Sequence, residues 1–123
     1  MWIVDITLIA NWVKSLDKDS QTQIAAAIEI LEEQGPSLKR PLVGKIDGSI
    51  INNMKELRPG SAGESEIRIL FVFDPKRKAI MLVGGDKHGD KKNKWNSWYK
   101  KAIPEAEARY VHWLETQYGK ESK

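Results

Sequence analysis

The sequence predicts one α+β domain in which a pair of N-terminal helices and a C-terminal helix pack against an antiparallel sheet. A short alternating segment opens the chain, two segments of helical period follow it, and three strand-like segments precede a last helical segment. The predicted order is therefore β-α-α-β-β-β-α, which is typical of helices packed on sequentially adjacent strands. The chain of 123 residues has the length of one domain, predicted over residues 1–123 with a frayed tail at 119–123.

The N-terminal elements follow from the spacing of apolar residues. Apolar side chains at every second position of residues 2–7 predict a strand with one buried face. Apolar residues then recur at spacings of three and four over residues 9–16 and again over 24–31, which predicts two helices. The turn between them lies at 17–20, and the Gly-Pro pair at 35–36 ends the second helix. We therefore expect a helical hairpin.

The central strands are separated by segments rich in Pro and Gly. Residues 37–49 show no sustained period and are predicted to form an ordered loop. Residues 66–74 are apolar on both faces apart from Arg68, which is typical of a central strand. Gly84-Gly85 is interpreted as a turn signal. The three strands are predicted at Ile50–Arg58, Glu66–Asp74 and Ala79–Val83.

The C-terminal helix is predicted to follow a basic loop. Trp95, Trp98, Tyr99 and Ala102 fall at helical spacing. Pro104 is expected to interrupt this helix or to start another one, because Pro is tolerated mainly in a first helical turn.

Composition excludes several classes of site. The chain has no Cys and two His, which excludes disulfides, thiolate zinc sites, a Cys nucleophile and a His-rich metal cage. It has no Gly-rich phosphate loop or Ser triad, so we expect no cofactor. No apolar run reaches the roughly 20 residues that span a bilayer, and the N-terminus lacks a signal-peptide pattern. The expected location is the cytoplasm, without a membrane partner.

Positive charge is concentrated in the middle of the chain. Residues 1–35 carry two Lys against six acidic residues, whereas residues 36–101 carry fifteen Lys or Arg against seven acidic residues. A localised basic surface is what a polyanion requires, because phosphate neutralisation releases counterions. The alternative is a solvated basic face without a ligand.

Two arginines on the predicted strands are candidate site residues. An unpaired guanidinium at Arg68 would cost several kcal/mol inside an apolar strand, so it needs an acidic partner, solvent or an anionic ligand. Strand pairing would bring Arg58 close to Arg68, and two adjacent arginines repel each other unless an anion lies between them. We favour a phosphate-binding pair; structural ion pairs with Glu56 or Glu66 are the alternative.

A second group of candidates lies between the last strand and the C-terminal helix. Clustered cations there suit the charge that develops on a phosphorane. His88 is the side chain in this group that can exchange a proton near neutral pH, although a loop histidine without a role is the alternative. The group comprises Lys87, His88, Lys91, Lys92 and Lys94.

The aromatic residues at the start of the C-terminal helix have two interpretations. They can stack on unpaired bases, worth roughly 1–3 kcal/mol per base, or pack in the core. Helical spacing favours a structural role for Trp98, whereas Trp95 and Tyr99 stay candidates for stacking on RNA.

These motifs occur together in a recognisable order: Met54–Ser61 (MKELRPGS), Glu66–Pro75 (EIRILFVFDP), Gly85-Asp86-Lys87, Trp95, Trp98-Tyr99, Ile103-Pro104 and Ala106. In this combination, the sequence resembles the phage-derived Gp49-like/HigB toxins of the RelE/ParE superfamily. The opening strand and the helical hairpin agree as well, so the resemblance covers residues 1–115.

The resemblance implies a RelE-like fold and a toxin of a type II toxin–antitoxin system. Such toxins cleave messenger RNA, commonly on the ribosome, and are metal-independent because the 2′-hydroxyl of the RNA is the nucleophile. By position, Arg58 and Arg68 match the arginines that bind the scissile phosphate, and Lys87 matches the lysine after the last strand. The resemblance assigns the RNA backbone to Lys91, Lys92 and Lys94. The implied partners are a helix-turn-helix antitoxin, in a possible heterotetramer, together with messenger RNA and the ribosome.

The sequence departs from members that end in a catalytic His or Tyr, because here a long helix ends the chain. Two other functions stay open. The ParE branch inhibits DNA gyrase without cutting RNA, and a phage-derived nucleic-acid-binding protein without toxicity would carry the same basic segment.

Overall fold

The computed structural model describes residues 1–60, 66–86 and 96–118 of the chain. The strands are β1 (Ile3–Asp5), β2 (Val43–Lys45), β3 (Lys55–Leu57), β4 (Ile67–Phe73) and β5 (Lys78–Asp86). The helices are α1 (Ala10–Lys14), α2 (Lys18–Gln34) and α3 (Asn96–Tyr118). The predicted α+β class, with an N-terminal helical pair and a C-terminal helix, is confirmed.

The five strands form one mixed sheet in the order β1-β5-β4-β3-β2. The strands from β2 to β5 each pair antiparallel to the next strand in sequence, and the meander of the last three was predicted. β1 adds a parallel pairing along the outer edge of β5. Two helices separate β1 from the next strand in sequence, so no hairpin turn dictates its direction.

β2 is a strand where the sequence predicted an ordered loop. It has three residues, Val-Gly-Lys, and forms the edge of the sheet by pairing with β3. A segment this short carries no measurable alternation, and its strand conformation depends on partners ten to fourteen residues further along the chain.

The helical pair begins and ends near the predicted residues. A single 3₁₀ turn at Thr7–Ile9 leads into α1, which ends at Lys14 and is therefore two residues shorter at its end than the helix predicted over 9–16. Asp17 caps α2 by accepting hydrogen bonds from the Ser20 amide and hydroxyl, and the hydroxyl bond is the main reason that its pKa lies below the ordinary value. Gly35 ends α2 with a φ of +55°, and the Trp2 indole packs on it so closely that a Cβ would lie 2.3 Å from Nε1.

Each face of the sheet buries a separate apolar cluster. One face packs against α1 and α2 through side chains that include Leu57, Ile69, Phe71 and Met81. The other face packs against α3 through Met54, Leu70, Val72, Ile80 and Leu82. β4 is therefore covered on both sides, as its sequence predicted.

β5 continues through Gly84 and Gly85, which were predicted to form a turn. Both glycines lie in the strand, where they pair with Ile69 and Arg68. A Cβ on Gly84 would lie 2.1 Å from the Trp12 ring, and a Cβ on Gly85 would lie 2.2 Å from Nε1 of Trp98. The turn interpretation is thus wrong, because these glycines accommodate two indoles inside a strand.

α3 runs without interruption through Pro104, contrary to the predicted break. Pro104 and Lys100 are both exposed, so solvent is close to the carbonyl group of Lys100 that loses its helical donor. The last turn of α3 is anchored by Tyr118, whose hydroxyl donates to the buried carboxylate of Asp74. Within the described residues, no helix combines the length and the apolar character needed to cross a membrane.

Candidate functional site

A buried carboxylate lies at the centre of the candidate site. Glu56 is on β3, opposite Leu70 of β4, and its side chain is 1% exposed. Strand alternation places Met54, Glu56 and Arg58 on the sheet face that α3 covers. A carboxylate at this depth needs compensating donors, and neighbouring side chains provide them.

Arg58 supplies the first of these donors. Its Nε donates to Oε1 of Glu56 at 2.8 Å, and its side chain is 30% exposed. The guanidinium lies over Gly44 of β2, so close that a Cβ there would be 2.8 Å from a terminal nitrogen. Among the described residues, no acidic group pairs with those terminal nitrogens, which leaves them available to an anion.

Arg68 approaches the same carboxylate oxygen from β4. Its Nε lies 3.7 Å from Oε1 of Glu56, too long for a hydrogen bond, and its Nη1 donates to the Ile67 carbonyl at 2.8 Å. Its Nε is buried and has no hydrogen-bond partner in the described part of the chain. The two arginines therefore meet as predicted, and the anion between them is Glu56, which the sequence offered as the structural alternative to a phosphate.

Tyr99 is the second hydrogen-bond donor to Glu56. It lies in the first turns of α3, and its hydroxyl donates to Oε2. Burial, followed by the hydrogen bond to Glu56 and the charge of that carboxylate, raises the pKa of Tyr99 well above its ordinary value of 10.0. Tyr99 therefore keeps its proton at physiological pH and acts as a donor rather than a base.

A cleft of about 290 Å³ opens in front of these side chains. It is lined by Lys45, Ile46, Asp47, Glu56, Arg58, Tyr99 and Ile103. The cleft lies between the β2–β3 edge of the sheet and α3. A small anionic group in it would lie beside the cationic side chains of Lys45 and Arg58.

Trp98 has the structural environment that its helical spacing predicted. The indole lies on Gly85, which pairs with Arg68, and contacts the Tyr99 ring edge to face with centroids 5.0 Å apart. Trp98 is therefore part of the packing that holds the first turns of α3 on β5. Its neighbour Tyr99 lines the cleft, where it is positioned to meet a ligand.

Several predicted site residues lie outside the described residues: Lys87, His88, Lys91, Lys92, Lys94 and Trp95. They belong to the segment that joins β5 to α3. Both of these elements border the arginines, because Gly85 of β5 pairs with Arg68 and Tyr99 of α3 contacts Glu56. The roles predicted for these residues and for the two arginines stay predictions.

The central position of Glu56 was not predicted from the sequence. The pattern Met54-x-Glu56-x-Arg58 contains the signal, because alternation with Met54 places Glu56 on the buried face. His112 is exposed on α3, away from this group. In residues 1–60, 66–86 and 96–118, no cluster of three His, Asp or Glu side chains could hold a metal ion.

Comparisons with known proteins agree over most of the chain. A model of the family described as phage-derived protein Gp49-like matches residues 11–111. The Mycobacterium tuberculosis protein provisionally named toxin HigB2 is 48% identical over 113 residues, which cover 92% of this chain and 54% of that protein. The protein provisionally named toxin HigB3, from the same organism, is 44% identical over 119 residues, covering 97% of this chain and 98% of that protein. The chain thus spans about half of the first relative and nearly all of the second.

Proposed function

This chain belongs to the Gp49-like family of phage-derived proteins, and from that membership we propose that it is the toxin of a type II toxin–antitoxin pair and cleaves messenger RNA. The family resemblance inferred from the sequence is confirmed. The toxin names of two relatives support the first part of the proposal. The geometry around Glu56 supports the second part.

The observation that carries the nuclease proposal is the convergence of two guanidinium groups on one buried carboxylate. Glu56 uses Oε1 for Arg58 and Arg68 and Oε2 for Tyr99, so it is a positioning residue. It offsets one of two positive charges and leaves a net positive site. The Arg58 guanidinium lines the cleft and Arg68 lies behind it on the same carboxylate. A guanidinium in this position suits the non-bridging oxygens of a phosphodiester.

In the proposed reaction, the RNA supplies its own nucleophile. The 2′-oxygen bonds to the adjacent phosphorus, the bond to the 5′-oxygen breaks, and a 2′,3′-cyclic phosphate and a 5′-hydroxyl form. One proton leaves the 2′-hydroxyl and one reaches the departing 5′-oxygen. Arg58 and Arg68 would stabilise the charge that develops on the phosphorane oxygens. The raised pKa of Tyr99 argues against this residue as the base. The proposal gives the proton transfers to Lys87 and His88, the candidates in the segment between β5 and α3.

The proposal includes the partners that such a toxin requires. A helix-turn-helix antitoxin would hold it inactive in a heterotetramer, and the ribosome would present the message. Lys91, Lys92 and Lys94 are proposed to bind the RNA backbone, and Trp95 and Tyr99 are proposed to contact bases. The proposed site of action is the cytoplasm.

The test is to induce the chain in a bacterial host and map the 5′ ends of all messages. We expect new ends inside coding regions together with growth arrest. Arg58→Ala and Arg68→Ala should remove both effects. Lys14→Ala is the control, because it removes one positive charge from an exposed position on α1, on the other side of the sheet.

Two outcomes would overturn the nuclease proposal. Growth arrest with intact messages and inhibited supercoiling by gyrase would indicate a non-nuclease toxin. Strong expression without any effect on growth or messages would indicate an accessory nucleic-acid-binding protein. If cleavage persists in both arginine variants, the chemistry lies elsewhere on the chain.

A further inference from the structure

A second basic surface lies at the outer edge of the sheet, on the face opposite Arg58 and Arg68. It is a groove of about 420 Å³ beside β2. Four of its eight lining residues are cationic and none is acidic: Pro36, Leu38, Lys39, Arg40, Val43, Gly44, Lys45 and Lys55. We call these four cations the β2-edge groove cations. None of them was predicted to bind RNA.

The strand register brings two of these cations together at a cost to the fold. Lys45 of β2 is the direct partner of Lys55 of β3, so both side chains leave the same face of the sheet. Like charges directly opposite each other destabilise an antiparallel pair. Within the described residues, neither ammonium group has an acidic partner. A ligand with negative charge would relieve the repulsion, as Glu56 does for the arginines.

The β2-edge groove and the cleft in front of Arg58 meet at one residue of the sheet edge. Lys45 lines both cavities. Gly44 forms part of the groove wall, and the Arg58 guanidinium lies on it from the other side. Among the described strands, β2 has a neighbour on one side alone, and none of them separates the two cavities across its outer edge. An extended chain of regularly spaced anions can therefore cross this edge from the groove to the arginines.

We propose that the β2-edge groove binds the phosphate backbone of a single RNA strand whose scissile phosphate lies at Arg58 and Arg68. Lys45 and Lys55 bind one part of the backbone, and Lys39 with Arg40 binds the adjoining part. This inference rests on the proposed function, since it takes the occupant of the arginine site to be RNA. It adds a second contact on the opposite face of the sheet.

The test measures binding of the full chain to a short single-stranded RNA oligonucleotide with 2′-O-methyl groups, which cannot supply the nucleophile. The variant is Lys45→Gln with Lys55→Gln. The loss of two phosphate contacts should lower the slope of log Kd against log salt by about 1.4. At about 0.1 M salt this corresponds to roughly 25-fold weaker binding. With cleavable RNA, the rise in KM should be larger than any fall in kcat, because the lost contacts hold the RNA strand and not the scissile phosphate.

The matched control is Lys14→Gln with Lys18→Gln, which makes the same change in charge at two exposed positions of the helical pair. This control should bind like the unchanged chain. The groove variant should also unfold at an equal or higher temperature, because the substitution removes a repulsion between neighbours. Weaker binding with undiminished thermal stability is the result expected from a contact with RNA.

The outcomes separate this inference from the proposed function. If the groove variant binds the oligonucleotide as tightly as the unchanged chain, the inference is overturned, while loss of cleavage in Arg58→Ala would still support the nuclease. If the unchanged chain binds polyglutamate and no RNA, the groove binds an acidic protein segment and the inference is also overturned. If the chain cuts no RNA but loses binding in the groove variant, the groove stands and the nuclease proposal fails.

Discussion

At the scale of single residues, Glu56 determines the arrangement of the candidate site. It is a buried acid with an arginine on each side of one oxygen and a tyrosine on the other. A buried charge is tolerated only when its partners are in place, so the carboxylate and the guanidinium groups fix one another. The arginines are consequently held ready before any ligand binds, which lowers the cost of ordering them.

Glu56→Gln should be strongly destabilising. The amide has a similar shape but leaves two guanidinium groups without their counter-charge. We expect a loss of about 3 kcal/mol in the free energy of unfolding. This is the lower end of the range for a broken buried ion pair, because Arg58 still reaches solvent. Urea unfolding measures the change. Glu105→Gln is the control, since Glu105 makes an equally short 2.8 Å ion pair with Arg109 but is 51% exposed. That variant should change stability by about 0.5 kcal/mol or less, and equal losses in both variants would contradict the assigned role of burial.

Tyr99→Phe should alter how stability depends on alkaline pH. The pKa of Tyr99 is raised in the folded chain, so folding favours the protonated hydroxyl. The stabilisation is complete below the unfolded value near 10.0 and is lost as the pH rises from there toward the folded value. We therefore expect the free energy of unfolding to fall less steeply above pH ~10 in Tyr99→Phe. Denaturant unfolding across this range measures it, and identical slopes would refute the expectation.

At the scale of elements, the contact between β5 and α3 depends on the absence of a side chain at one position. Gly85 lies under Trp98, and its strand partner is Arg68. Trp98 in turn contacts Tyr99, whose hydroxyl holds Glu56. The close approach of α3 to β5 thus positions the Tyr99 hydroxyl, which donates to Glu56. A wider spacing would withdraw Tyr99 from the carboxylate.

Gly85→Ala should destabilise the fold by about 1–3 kcal/mol through overpacking, because its Cβ would lie 2.2 Å from Nε1 of Trp98. A double-mutant cycle with Trp98→Ala isolates the clash. Removing the indole creates room for the new methyl group, so the double variant should be less destabilised than the sum of the single variants. Additive losses would show that another contact is responsible.

At the scale of the whole molecule, one sheet supports two cores. The side chains of β4 alternate between the cluster under the helical pair and the cluster under α3. Neighbouring residues on this strand are therefore buried against different layers. The face under α3 also carries the arginines, whereas the face under the helical pair carries the β2-edge groove cations at its margin.

Leu70→Ala and Phe71→Ala should each cost about 2–5 kcal/mol, because adjacent β4 residues are fully buried on opposite faces. In a sheet with one wet face, one of the two substitutions would be nearly neutral. Urea unfolding distinguishes these cases. Val111→Ala is the control, since Val111 is 50% exposed on α3 and its truncation should stay within about 0.5 kcal/mol.

Local pattern predicted the elements whose periodicity is long, and tertiary contact decided the others. α2 and β4 repeat their apolar spacing often enough to be recognised in the sequence. β2 has three residues and β1 pairs with a strand more than seventy positions away, so neither pairing is encoded locally. Gly84-Gly85 resembles a turn in sequence because its requirement for glycine comes from two indoles that are distant along the chain.

The candidate site was also predicted only in part. The predicted pairing of the two strands correctly placed Arg58 close to Arg68. The choice between Glu56, Glu66 and a ligand as their anion depends on which carboxylate is buried on the shared face, and that follows from the register of β3 and β4. The Lys45–Lys55 pair could not be predicted either, because it depends on the register of β2 and this segment was expected to be a loop.

The indole on Gly85 also gives the protein an internal optical signal. Indole emission shifts with local polarity and is quenched by nearby charged groups, and Trp98 is partly exposed on the sheet face that carries Arg68. A nucleic acid that reaches the arginines should therefore change the intrinsic fluorescence of the chain without any attached label. Trp98→Phe would identify the source by removing that part of the response, so occupancy of the candidate site can be followed in real time.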